Sequence, residues 1–80
     1  MALITTTAAA FRLATDTVEQ AEGVEVVSGS SRPYQADRFL SLFHIDLCSY
    51  RSGERVDWIA TVHASGKVEF VRRVVGIWHI

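Results

Sequence analysis

Hydrophobic residues in this chain keep two different rhythms. Between residues 8 and 22, Phe11, Ala14, Val18 and Ala21 recur at three- and four-residue intervals, with Leu13 beside them. That spacing predicts a helix with one apolar stripe. Arg12, Asp16, Glu19, Gln20 and Glu22 occupy much of the rest, and Arg12 and Asp16 are spaced to pair on the solvent side. Thr6 or Thr7 supplies a capping hydroxyl at the start, and Gly23 suits the left-handed position past the last turn. The acidic final turn runs against the helix dipole, a small local penalty.

The second half alternates with period two. Val56, Trp58, Ala60 and Val62 form one face of a strand, and Val68 and Phe70 form one face of the next. A three-residue loop, Ala64-Ser65-Gly66 with Gly66 left-handed, sets Val62 opposite Val68, Ala60 opposite Phe70 and Trp58 opposite Arg72. A two-residue loop would set Val62 against Glu69 and mix the faces, so the apolar pattern selects the register. With Ser52-Gly53 as the preceding turn, Leu47 meets Trp58, Ile45 meets Ala60 and Phe43 meets Val62. All six then share one face. The pattern predicts a three-stranded antiparallel meander whose apolar side receives the helix stripe.

The remaining segments are less regular. Residues 2–6 and 24–27 read as short strands that can extend the sheet. Residues 28–33, Ser-Gly-Ser-Ser-Arg-Pro, read as a loop. Pro33 suits the first turn of a brief second helix that gives way to strand near Leu42, with Phe39, Leu40 and Leu42 turned inward. The expected fold is α+β: one small domain over residues 1–80, an antiparallel three- to four-stranded β-meander packed against an N-terminal α-helix.

Composition narrows the function classes. The chain is 49% hydrophobic, which argues against disorder and leaves apolar side chains over for a binding face. A formal charge of −1 gives no long-range attraction to nucleic acid or anionic lipid. From residue 41 onward five basic residues stand against four acidic. Cys48 is the single cysteine, so no internal disulfide forms and a reducing compartment is expected. With no secretory leader and no apolar run near the ~18–20 residues that span a bilayer, the expected location is cytoplasmic, of a cell or of an infected host.

The meander's other face carries the polar chemistry. His44, Asp46 and Cys48 are capable metal ligands, but same-face neighbours on a strand lie about 6.6–6.8 Å apart and no familiar ligand spacing accompanies them. His63 lies across the sheet from Cys48 with no acidic residue to orient it, which disfavours a Cys–His hydrolase. Neither serine-glycine turn leads into a helix that would cradle a phosphate. No catalytic, metal or cofactor site is assigned. The plain reading of this face is a solvated surface with cross-strand pairs such as Asp57 with Arg73. The sharper reading is a recognition surface around Tyr50, Arg55, Ile59 and Val71.

The last seven residues, Val74-Val75-Gly76-Ile77-Trp78-His79-Ile80, carry no permanent side-chain charge. Ends of soluble domains are usually polar, so this segment is expected to be covered, by its own domain or by a partner. The expected function is non-enzymatic protein binding by steric contact, as a homodimeric accessory protein or a small inhibitor of a larger protein. The contact residues are Tyr50, Arg55, Ile77, Trp78 and Ile80, with Arg72 and Arg73 at the rim. Nucleic-acid binding through Arg51, Arg55, Arg72 and Arg73 is the alternative, and a small hydrolase or metal-binding protein ranks third. No membrane partner is expected.

Overall fold

Helix α1 begins where Thr6 takes extended geometry and its Oγ1 accepts the Ala9 N–H at 3.1 Å. It spans Thr7–Glu22 and stops at Gly23, whose φ of 64° is left-handed and whose N–H donates to the Glu19 carbonyl. These and the other structural observations come from a computed structural model describing residues 3–37 and 40–73, with side chains outside 34–41. The chain continues as β1 (Glu25–Asp37), β2 (Leu40–Arg51), β3 (Glu54–His63) and β4 (Val68–Arg73). The four strands form one antiparallel sheet in the order β1-β2-β3-β4. An N-terminal helix thus packs on a four-stranded meander, as the α+β reading expects.

Both hairpin registers match the apolar pattern. Phe43 faces Val62, Ile45 faces Ala60 and Leu47 faces Trp58. Val62 faces Val68, Ala60 faces Phe70 and Trp58 faces Arg72. Ser52 and Gly53 both have positive φ, the feature of a type I′ turn that follows the strand twist. At the second hairpin Gly66, at φ 96°, donates its N–H to the His63 carbonyl, and His63 N–H donates to the Lys67 carbonyl.

The buried stripe of α1 is Ala10, Ala14 and Val18, with Phe11 and Leu13 partly buried beside it. Ala21, expected in the stripe, is exposed, so the buried stripe ends at Val18. Alanine at two of the three central positions lets the helix axis lie close above Ile45, Leu47, Ala60 and Val62. Full burial of each larger side chain contributes about 1.5–3 kcal/mol.

Three expectations about the first half are corrected. Residues 3–5 are not a strand; Ile4 N–H instead makes one hydrogen bond to the Ala64 carbonyl at 2.8 Å. Residues 28–33 are not a loop, and among the described residues no helix follows Pro33, since 28–37 lie within β1 and 40–42 within β2. The turn-forming composition is overridden by pairing with β2, whose alternating face needs a neighbour: Gly29, Ser31 and Pro33 lie opposite Leu47, Ile45 and Phe43. Proline is tolerated because β1 is an edge strand. Leu42 is half-buried on the opposite face, beside His44, and does not point to the helix. Phe39 and the side chain of Leu40 lie outside the described residues.

The acidic end of α1 finds specific partners. A Glu19 carboxylate oxygen accepts the Val26 N–H at 3.0 Å, next to a register shift in β1 between Val26 and Ser28. The Arg51 guanidinium donates to the Glu22 carbonyl, placing a cation at the negative end of the helix dipole.

Candidate functional site

The helix covers one side of the sheet, and among the described residues nothing covers the other. Cross-strand register arranges the open face in rows. Arg32, His44, Thr61 and Glu69 form one row; Ser30, Asp46, Ile59 and Val71 the next; Ser28, Cys48, Asp57 and Arg73 the third. Glu25, Tyr50 and Arg55 close it near the Ser52-Gly53 turn.

Ile59 and Val71 are cross-strand partners and make an apolar centre toward β4, where Val71 is 63% exposed. Tyr50 and Arg55 face each other across β2 and β3, and Tyr50 is 42% exposed. The charges around them are held by local partners. Arg55 Nε donates to Asp57 Oδ1 at 3.0 Å. That hydrogen bond is the main reason the Asp57 carboxyl is lowered from its ordinary range. Partial burial opposes the shift, while the Cys48 thiol and Arg73 reinforce it. Arg55 is correspondingly raised. Glu69 is lowered first by Lys67, whose Nζ lies 3.1 Å away, and then by His63 at 3.7 Å.

The groups with chemical potential are dispersed. His44 Nε2 and Asp46 Oδ1 lie 3.5 Å apart on one strand. Cys48 faces Asp57, whereas His63 faces Leu42 at the far end of the face. Among the described residues no group of three or more His, Cys, Asp or Glu stands close enough to hold a metal ion. A cleft of about 350 Å³ is lined by Arg32, Leu42, Phe43, His44 and Thr61.

Of the expected contact residues, Tyr50 and Arg55 come together. Arg73 sits one row away opposite Asp57, while Arg72 stands opposite Trp58 on the helix side of the sheet and is exposed. Ile77, Trp78 and Ile80, with the rest of the apolar C-terminal segment, lie outside the described residues. Sequence reasoning missed the fourth column of the open face, Ser28, Ser30 and Arg32, because their segment has turn composition. No hydropathy alternation marks it, since Ser28, Ser30 and Arg32 are interleaved with Gly29, Ser31 and Pro33.

No helix among the described residues is long and apolar enough to cross a membrane. No protein-family model, curated protein sequence or solved structure matches the chain.

Proposed function

We propose that this chain is a non-enzymatic protein-binding domain that works by steric contact, as a homodimeric accessory protein or as a small inhibitor of a larger protein. The observation that carries the reading is the open sheet face, with the Ile59–Val71 pair at its centre and ion-paired charges around it. An apolar centre supplies area to bury, and fixed charges at its margin select the partner and its orientation. Pairing Arg55 with Asp57 and Lys67 with Glu69 in advance lowers the ordering cost of binding. The same pairing weighs against a phosphate track. Arg51 is engaged at the helix end and Arg55 by Asp57, so two of the four arginines that a phosphate track would use are already held by partners within the domain.

The test combines solution mass with affinity capture, using wild type, Tyr50→Ala, Ile59→Glu and Trp78→Ala, each checked for fold by circular dichroism. The wild type is expected to self-associate or to retain a discrete protein in roughly 0.5 M salt, where exposed charge–phosphate contacts are strongly screened. Where a different protein is retained, Tyr50→Ala and Ile59→Glu are expected to lose it while folded, and Trp78→Ala reads the contribution of the C-terminal segment. Binding of nucleic acid alone, lost in salt and on neutralising Arg72 and Arg73, would overturn the proposal.

A further inference from the structure

The two edges of the sheet differ. On β1 the pairing is broken by two register shifts, Pro33 lacks an N–H, and the Val26 N–H is taken by Glu19. Each of these devices discourages another strand from adding to an edge. β4 has none of them: Val68–Arg73 pairs with β3 without a shift and contains no proline, and among the described residues nothing pairs with its other side.

The hairpin fixes which groups that edge presents. His63 N–H donates to the Lys67 carbonyl, so by the alternation of an antiparallel ladder Glu69, Val71 and Arg73 turn their main-chain groups toward β3. Phe70 and Arg72 turn theirs outward. The side chains obey a second alternation: Glu69, Val71 and Arg73 lie on the open face, and Phe70 and Arg72 on the helix face.

From this we infer that the β4 edge takes a second copy of the same chain, antiparallel and centred on Val71, to make a continuous eight-stranded sheet. The inference rests on the protein-binding reading above and names its partner. A two-fold axis keeps open face with open face, so only registers centred on a residue qualify. Centring on Val71 sets Glu69 opposite Arg73 of the second copy, twice by symmetry. It brings the two exposed Val71 side chains together, and Phe70 and Arg72 exchange main-chain hydrogen bonds across the axis. Arg72 of each copy then reaches over Phe70 of the other, a cation beside an aromatic ring. Centring on Phe70 would put Glu69 against Val71, and centring on Arg72 would oppose two arginines. Glu69, Val71 and Arg73 thus read as a self-complementary strand in one register.

The test is concentration-dependent light scattering on wild type, Glu69→Arg, Arg73→Glu and an equimolar mixture of the two variants, with circular dichroism to confirm fold. The wild type is expected at twice the chain mass. Each variant alone opposes like charges at both symmetric positions and is expected to weaken self-association on the order of tenfold to a hundredfold. In the mixture each copy of one variant can pair with a copy of the other. Opposite charges then face each other again at both symmetric positions, and the mixture is expected to return to dimer mass. A dimeric wild type whose variants remain dimeric would place the seam elsewhere and overturn the register while keeping the homodimer. A monomeric wild type would overturn the inference outright, leaving the protein-binding reading to the capture experiment with Tyr50→Ala and Ile59→Glu. Variants that are monomeric both alone and mixed would also overturn it.

Discussion

Ser49 continues the inward series Phe43, Ile45, Leu47, yet it is a hydroxyl with no exposed surface. It survives there because both its capacities are used: Oγ donates to the Val56 carbonyl at 2.7 Å and accepts from Trp58 Nε1 at 2.8 Å. The indole N–H is thereby satisfied, and the ring stands edge-on to Phe70 at a centroid distance of 5.8 Å. Ser49→Ala is expected to cost about 1–3 kcal/mol, because it strands a buried indole donor, read as a lower urea midpoint at unchanged m-value. Adding Trp58→Phe removes the stranded donor, so the double variant is expected to lose less than the sum of the two single losses. Asp57 carries a pH dependence of its own. Its folded carboxyl is lowered by Arg55, so its contribution is present above the unfolded value of about 3.9 and lost as pH falls through the folded one. Urea midpoints taken from about pH 6 to 2 are therefore expected to fall less steeply in Asp57→Asn than in wild type. The position of Asp57 opposite Arg73 was legible in the sequence from strand alternation. Its hydrogen bond to Arg55, two residues away on the same strand, was not, because alternation places side chains on a face without saying which neighbour each turns to.

At the scale of elements, legibility followed the strength of the period. α1 and β3 carry sustained apolar rhythms, β2 alternates through Phe43, Ile45 and Leu47 and β4 through Val68 and Phe70, and turn length alone separated matched faces from mixed ones, so both hairpin registers could be derived. β1 carries almost no apolar signal; its inward positions include Gly29, Ser31 and Pro33, residues that belong to turns by local preference. What makes them a strand is nonlocal. Gly29 lies so close beneath α1 that a Cβ there would stand 2.9 Å from Phe11 Cε2 and 2.3 Å from the Asp46 carbonyl oxygen. The Ser31 hydroxyl donates to the Thr7 carbonyl at 3.0 Å. The small residues are therefore the footprint of the helix on β1. Gly29→Ala is expected to destabilise by about 1–3 kcal/mol through overpacking, since the backbone oxygen cannot move aside as a flexible side chain would. Thermal midpoints of wild type and variant check this, and equal midpoints would mean that Phe11 does not seat against β1. The helix end gives a milder case. Arg51→Gln removes the cation from the Glu22 carbonyl and is expected to cost about 0.3–1 kcal/mol, with the difference shrinking as salt is raised.

For the molecule as a whole, one helix on one side of a four-stranded sheet leaves, among the described residues, an entire face and one regular edge without a second layer. A domain of this size buries only roughly 60% of its unfolded surface, so association is a direct route to added stability. If the β4 edge joins two copies, folding and pairing are linked by mass action. Each tenfold rise in protein concentration then stabilises the folded chain by about 0.7 kcal/mol per protomer, half of one decade in a dimer equilibrium constant. For a domain of 80 residues this moves the thermal midpoint by roughly 3–6 °C per tenfold. Glu69→Arg and Arg73→Glu, each alone, are expected to show that slope only at concentrations about tenfold to a hundredfold higher, and their mixture to regain it over the wild-type range. The slope separates the seam from the local ion pairs on the same face. Losing the Lys67–Glu69 or the Asp57–Arg73 attraction lowers a midpoint at every concentration alike, whereas losing the second copy removes the concentration dependence itself. A wild-type midpoint that stays fixed over a hundredfold range would mean that the edge strand folds without a second copy, and the open face would then have to account for binding on its own.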